Sequence, residues 1–233
     1  MITDKALTTR SATGRFARFT GIFCLTLAVL VLGACAKMEG KVAAKAPVNP
    51  NDVQMAYNAV ITVPSNWQTA ALLAPEAAAK AGLETRVKGG ERVLLLAATG
   101  TPSPKGVESI MMVFLVNEEN TFMPREFAEK LKPEEFAGFS RDLFEREKAT
   151  AKKNKAKFNL MDLQLSRDTI GGHFAIQHKI TVADEKGVPL RSLRWDIYLP
   201  GGVGIAVRAE CDMEQSAMEN EIVNMVRSLR VQP

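Results

Sequence analysis

Few side chains in this 233-residue chain are of types that do chemistry unaided: two histidines and three cysteines. His173 and His178 are five apart in a segment that reads as a strand, so they point to opposite faces and cannot hold one metal ion together. His178 shares its parity with Phe174 and Ile176, the pattern of a hydrogen-bonded core histidine. Cys211 follows Val207 and Ala209 on an apolar parity, which reads as a buried thiol; a nucleophile would need a histidine base beside it. Gly201-Gly202-Val203-Gly204 contains G-x-G but lies between two strands, not between strand and helix, so the dinucleotide reading fails on context. Gly100 to Gly106 lacks the Gly-Lys-Ser/Thr order of a phosphate loop, and its prolines remove backbone donors. G-x-S-x-G, H-E-x-x-H and calcium-loop spacings do not occur. The sequence therefore assigns no catalytic residue, no metal ligand and no cofactor, and the expectation is a protein that is not an enzyme.

The residue with a definite chemical fate is Cys35. Residues 1–18 carry Lys5, Arg10, Arg15 and Arg18 against Asp4, and an apolar run from Phe19 to Leu32 follows, closed by Gly33, Ala34 and Cys35. That is the order of a secretory signal. Leu32-Gly33-Ala34-Cys35 resembles the lipobox of bacterial lipoproteins. The resemblance implies cleavage between Ala34 and Cys35, a diacylglycerol thioether on Cys35 and acylation of its new amino group. The competing readings are a conventional secretory signal and an uncleaved membrane helix. The uncharged window from Phe19 to Ala36 is marginal for a helix that must span with about 20 residues. Several acyl chains on one residue would anchor the chain firmly, since one alone binds marginally at about 0.8 kcal/mol per buried methylene. By resemblance to enterobacterial lipoproteins, Ala36 after the cysteine favours the outer membrane over the inner.

Loss of residues 1–34 lowers the formal net charge from +4 to about +1, so the basic pI belongs to the leader and is no nucleic-acid footprint. It also removes Cys24, and lipidation occupies Cys35, which leaves Cys211 as the free thiol. Residues 35–54 comprise the lipidated cysteine and a tether rich in Ala, Lys, Pro and Asn without apolar period. Residues 55–233 read as one globular domain.

Within that domain, Tyr57 to Val63 has strand composition and Pro75 to Ala81 suits a short helix closed by Gly82. Thr85–Lys88, Gly89-Gly90 and Glu91–Thr99 read as a hairpin. Its second arm and Ser109–Val116 are apolar on both parities, which predicts central strands covered on both faces. Helices are expected over Pro124–Leu131 and Pro133 to about Lys153. A meander follows: Leu160–Thr169, His173–Ala183, Leu190–Leu199 and Val203–Cys211. Period-two counting places Phe174, Ile176, Ile180 and Val182 with Leu193, Trp195 and Ile197, and leaves Lys179, Arg194, Asp196, Arg208 and Glu210 on a polar face. A closing helix, Glu214 to Val231, carries the stripe Met218, Ile222, Met225, Leu229.

The fold class is thus α+β, a mainly antiparallel central sheet flanked by helices. With Val63-Pro64-Ser65-Asn66-Trp67, the helices after two apolar strands, the long meander and the closing helix, residues from about Met55 to Pro233 resemble the PsbP-like superfamily, in particular the DcrB-like lipoproteins. The resemblance implies an α/β/α sandwich and a binding, assembly or envelope-associated role, with no shared active-site motif.

Two surfaces remain as candidates. Lys148, Lys152, Lys153, Lys155 and Lys157 form a charge cluster, either a solvated helix end complementing the dipole or a contact for anionic headgroups. The polar sheet face is either a cross-strand charge lattice or a binding surface. The expectation is a lipid-anchored, non-catalytic protein of the cell envelope, facing the periplasm, that binds or scaffolds another envelope component. The alternative is a module for a small or lipidic ligand between sheet and helices, with Met111, Met112, Met218 and Met225 as lining. Its partners are the membrane, through the lipid, and an envelope protein, not nucleic acid.

Overall fold

A computed structural model describes residues 49–71, 80–154 and 158–232, which belong to one compact unit, Ala44–Pro233. The leader, Cys35, the tether up to residue 48, most of the helix expected at Pro75, and Lys155 and Lys157 lie outside the described residues.

Two strands, β1 (Asp52–Gln54) and β2 (Ala59–Thr62), form a hairpin whose turn places Tyr57 and Asn58 at positive φ, 67° and 54°. The strand expected from Tyr57 therefore begins two residues later, and β1 occupies the end of the expected tether. After β3 (Gln68–Ala71) comes α1 (Lys80–Lys88), which replaces the first arm of the expected hairpin. Leu83 and Val87, one helical turn apart, are both buried and share the core-facing side of this helix. Gly89 and Gly90 end this helix: their N–H groups donate to the carbonyls of Thr85 and Val87, with Gly90 at φ 91°. They do not turn a hairpin.

The remaining strands are β4 (Val93–Thr99), β5 (Ile110–Asn117), β6 (Asn159–Ile170), β7 (His173–Ala183), β8 (Pro189–Tyr198), β9 (Val203–Asp212) and β10 (Arg230–Val231). Between β5 and β6 stand α2 (Arg125–Lys130) and α3 (Pro133–Lys153), and α4 (Ser216–Ser228) precedes β10. Pro133 opens α3, and the Glu135 carboxylate accepts the Lys132 N–H at 2.5 Å. The order β3-β4-β5-β9-β8-β7-β6 makes a seven-stranded sheet, antiparallel at every pairing, and β1-β2-β10 a smaller one. The architecture is α+β, as expected.

The large sheet is covered differently on its two faces. One face presents Met111, Val113, Leu115, Leu193, Trp195, Ile197, Ile205 and Val207 to α1, α4 and the small sheet, forming the main core. The other presents Leu163, Leu165, Ile176 and Tyr198 to Ala128 of α2 and to Phe136 and Leu143 of α3. Among the described residues none of β4, β5 or β9 belongs to this second cluster, although Val116 and Ala206 on the same side are themselves buried.

Register corrects the face assignment drawn from period counting. Ile176 lies opposite Asp196 and Ala175 opposite Ile197, and direct partners share a face. Phe174, Ile176 and Ile180 therefore face α2 and α3, away from Trp195 and Leu193. Lys179, opposite Leu193, leaves the polar set and pairs with Glu219 of α4. β4 and β5 are fully buried on the core face, and on the outer face Val116 is buried while the other apolar residues are partly so. A bulge between Leu94 and Leu96 turns both Leu95 and Leu96 into the core, which produces an apolar run with one buried face. On the outer side, Leu94, Ala97, Ile110, Met112 and Phe114 are half-buried.

Candidate functional site

The outer face carries a row of direct cross-strand neighbours: His178 on β7, Arg194 on β8, Arg208 on β9 and Met112 on β5. His178 is 2% exposed, the Arg194 and Arg208 side chains 22% and 19%, and Met112 is half-buried. Asp196, two residues along β8 from Arg194 and fully buried, joins the charged members. Arg194 approaches its Oδ2 to 2.9 Å and Arg208 its Oδ1 to 3.3 Å. The Phe122 N–H, in the segment leading to α2, donates to Oδ2 at 3.0 Å.

Burial works to raise the Asp196 carboxyl, but Arg194, His178 and Arg208 outweigh it and hold the group well below the ordinary carboxylate range. Burial pushes His178 down to about 4, and the two arginines add to the effect against the pull of Asp196. The imidazole is therefore neutral at pH 7. Its Nε2 stands 3.6 Å from Asp196 Oδ2, beyond hydrogen-bond reach, and has no hydrogen-bond partner among the described residues. The Phe122 ring sits edge-on above it, centroids 4.4 Å apart. Burial and then Arg194 lower Arg208, though an arginine stays charged across the working range. Glu210 lies on the same face, opposite Ser192 and Ile110; burial raises its carboxyl, and it makes no ion pair or hydrogen bond with another described residue.

The segment that delivers Phe122 is itself fixed. Thr121 Oγ donates to the Glu118 carbonyl at 2.6 Å, and the Tyr198 hydroxyl donates to the Met123 carbonyl at 2.7 Å. Arg167 donates to the carbonyls of Ala128, Glu129 and Leu131, closing the C-terminal end of α2. The ionic cluster thus stands at the border between the half of the outer face roofed by α2 and α3 and the half that is not.

The other sequence candidates are placed as follows. His173 and His178 stand on opposite faces of β7, as spacing requires. Cys211 is fully buried, and burial pushes its thiol up to about 12. Lys148, Lys152 and Lys153 are exposed on the last turns of α3, with Lys148 Nζ 5.3 Å from the Phe144 ring centroid. Met111, Met218 and Met225 are core filler, and Met112 points the opposite way, so the four line no common pocket. A groove of about 500 Å³ lies instead between α3 and β6, lined by Phe136, Phe144, Met161 and Leu163. Among the described residues no group of three or more His, Cys, Asp or Glu is placed to hold a metal ion, and no helix is long and apolar enough to cross a membrane. The signal that sequence reading missed was the shared parity of His178 with Arg194, Asp196 and Arg208, which emerges only once the β7–β8 register is known.

No family model and no curated protein matches the chain. Solved structures do. LpqN of Mycobacterium tuberculosis, described as involved in cell envelope biogenesis, is similar at TM-score 0.42 and 12% identity, over 75% of this chain and 83% of that one. Cyanobacterial PsbP (CyanoP) from Synechocystis sp. PCC 6803 is similar at TM-score 0.46 and 11% identity, over 83% and 100%. Protein PA94 of Pseudomonas aeruginosa, of unknown function and described as a putative regulator, is similar at TM-score 0.38 and 14% identity, over 62% and 85%.

Proposed function

We propose that this chain is a lipid-anchored, non-catalytic protein of the cell envelope, held by acyl chains on Cys35 and facing the periplasm, that binds another envelope component. The outer membrane is the favoured anchor site. The observation that carries the binding role is the part of the outer sheet face that α2 and α3 do not cover, where apolar Leu94, Ile110, Met112 and Phe114 are only partly buried beside Arg194 and Arg208. Binding is favoured over catalysis because His178 and Cys211 are buried and burial holds both uncharged at pH 7, pushing His178 down to about 4 and Cys211 up to about 12. Lys148, Lys152 and Lys153 are the proposed place for an anionic bilayer to meet α3.

Mass spectrometry of the mature N-terminus tests the anchor. An acylated Cys35 in the wild type and its loss in Cys35→Ala are expected, and an unmodified N-terminus upstream of Cys35 overturns it. Pull-down from crosslinked envelopes tests the binding role, which fails if no partner recurs. The groove between α3 and β6 favours a second reading, a site for a small apolar or lipidic ligand. Native mass spectrometry of the protein released from its own membranes would show that ligand retained by the wild type and lost on Phe144→Asp.

A further inference from the structure

The groove between α3 and β6, about 500 Å³, is built from a helical stripe and a strand irregularity. On α3, Ala137, Arg141 and Phe144 recur at steps of four and three, which sets them on one side of the helix facing the groove. On β6 the register shifts between Leu160 and Asp162, so Met161 has no partner on β7. Its side chain is left 51% exposed and lines the groove opposite Phe144, above buried Phe136 and Leu163. Two aromatic rings and an unbranched thioether make an adaptable apolar lining. A pocket of this size holds one small ligand, so it has room for a single acyl chain and not for both chains of a membrane phospholipid. A peptide strand is a poorer guest. The Leu165 N–H at this edge already donates to Ser140 of α3 at 2.9 Å, which interrupts the ladder that an added strand needs.

Charge narrows the guest further. The charged side chains in the lining are Arg141 and Asp162, one of each sign, and they form no ion pair with each other. Arg141 is exposed, without a hydrogen-bond or ion-pair partner among the described residues. Asp162 accepts from Gln164 Nε2 at 2.8 Å and has no described cation paired with it. In the turn of α3 beyond Phe144, Glu147 and Lys148 follow, again one of each sign. The groove therefore presents both charges without excess. A purely anionic head at Arg141 would be opposed by Asp162, and a purely cationic head at Asp162 by Arg141. A head that carries a phosphate and an ammonium group satisfies both.

Resting on the lipidic-ligand reading of this groove, we propose that it binds a single-chain zwitterionic phospholipid. The acyl chain lies along Phe136, Phe144 and Met161, the phosphate meets Arg141 and the ammonium group meets Asp162.

The test is photolabelling of the full-length chain, matured in cells and taken into polymer nanodiscs with its own membrane. The probe is palmitoyl lysophosphatidylethanolamine with a diazirine at the end of the chain. Expected is an adduct mapped by mass spectrometry to α3 or β6. Unlabelled lysophosphatidylethanolamine should displace it at a concentration at least about tenfold below that needed with palmitoyl lysophosphatidylglycerol, monopalmitoylglycerol or diacyl phosphatidylethanolamine. Phe144→Asp, Met161→Asp and Arg141→Glu should each reduce the adduct by at least about tenfold, and Arg141→Lys should keep most of it. Circular dichroism melting accompanies the variants; Met161, exposed and outside the β6–β7 pairing, decides if Phe144→Asp does not fold. Equal displacement by the anionic, neutral or diacyl competitors overturns the proposal while leaving the lipidic-ligand reading intact. An adduct that no competitor displaces is surface labelling only and overturns it. An adduct seen in Cys35→Ala but not in the wild type assigns the groove to the chain's own acyl group and also overturns it. No adduct on α3 or β6 in either chain removes both.

Discussion

Arg194 and Arg208 are direct partners across β8 and β9, and both turn their guanidinium groups onto the one buried carboxylate of Asp196. Like charges opposite one another destabilise a sheet, so this pairing depends on the anion between them. Asp196→Asn keeps the shape and removes the charge. It is expected to lower stability by roughly 3–5 kcal/mol, the cost of leaving a buried charge without its partner. Urea unfolding at pH 7 measures it. Adding Arg208→Met to Asp196→Asn should recover part of the loss, and a double variant no better than the single one contradicts the account.

His178 sets a pH dependence. Its ordinary value is 6.5, and burial lowers it in the folded chain to about 4. Between those values the unfolded chain binds the extra proton and the folded chain does not, so stability falls as pH drops from 6.5 toward 4. The span corresponds to about 3 kcal/mol. Asp196 acts in a lower window: its depressed carboxyl contributes stability above its ordinary value of 3.8 and loses it as pH falls further. His178→Gln should flatten the upper slope and spare the lower one. Urea midpoints taken across pH 3 to 7 separate the two, and a slope unchanged in the variant assigns it to other groups.

The glycine turn between β6 and β7 joins the two sheets' neighbourhoods. Gly171 sits at φ +56°, and a Cβ there would lie 2.6 Å from the Leu229 carbonyl oxygen, just before β10. Gly172, at φ +81°, faces open space. Gly172→Ala carries the backbone cost alone, about 1 kcal/mol. Gly171→Ala adds the collision and should lose about 2 kcal/mol or more. Thermal melts of the two variants, compared side by side, check the difference; equal losses would mean that β10 yields without cost.

Much of the fold was legible because it is local. The glycine turns and period-two strands marked the meander, and Met218, Ile222 and Met225 marked the buried stripe of α4. Thr85–Lys88 misled because Gly89-Gly90 serves a helix end as readily as a hairpin, and a spacing of four such as Leu83–Val87 fits one face of either element. The ionic cluster was half legible. Arg194, Asp196 and Arg208 showed as one polar face, but which face of β7 they joined depends on the β7–β8 register, and a slip of one residue exchanges every side chain. Apolarity on both parities of β5 was visible, yet composition cannot say which face the core buries fully and which stays partly buried, as Met112 and Phe114 do.

A hydroxyl of α3 caps one backbone donor on the β6 edge of the large sheet. β6 is an edge strand, and Ser140 of α3 accepts the buried Leu165 N–H at 2.9 Å while its own hydroxyl proton goes to the Phe136 carbonyl at 2.6 Å. α3 thereby covers an edge that would otherwise offer backbone donors to another strand. Ser140→Ala leaves the Leu165 N–H buried without an acceptor, a loss of about 1–3 kcal/mol. Ser140→Thr retains the hydroxyl and should retain most of the stability if the added methyl fits. Amide exchange gives a second readout: exchange at Leu165 should quicken in Ser140→Ala by more than the global loss of stability explains. Were Leu165 to exchange only in step with the core amides of β8, the hydroxyl would not be what holds this edge.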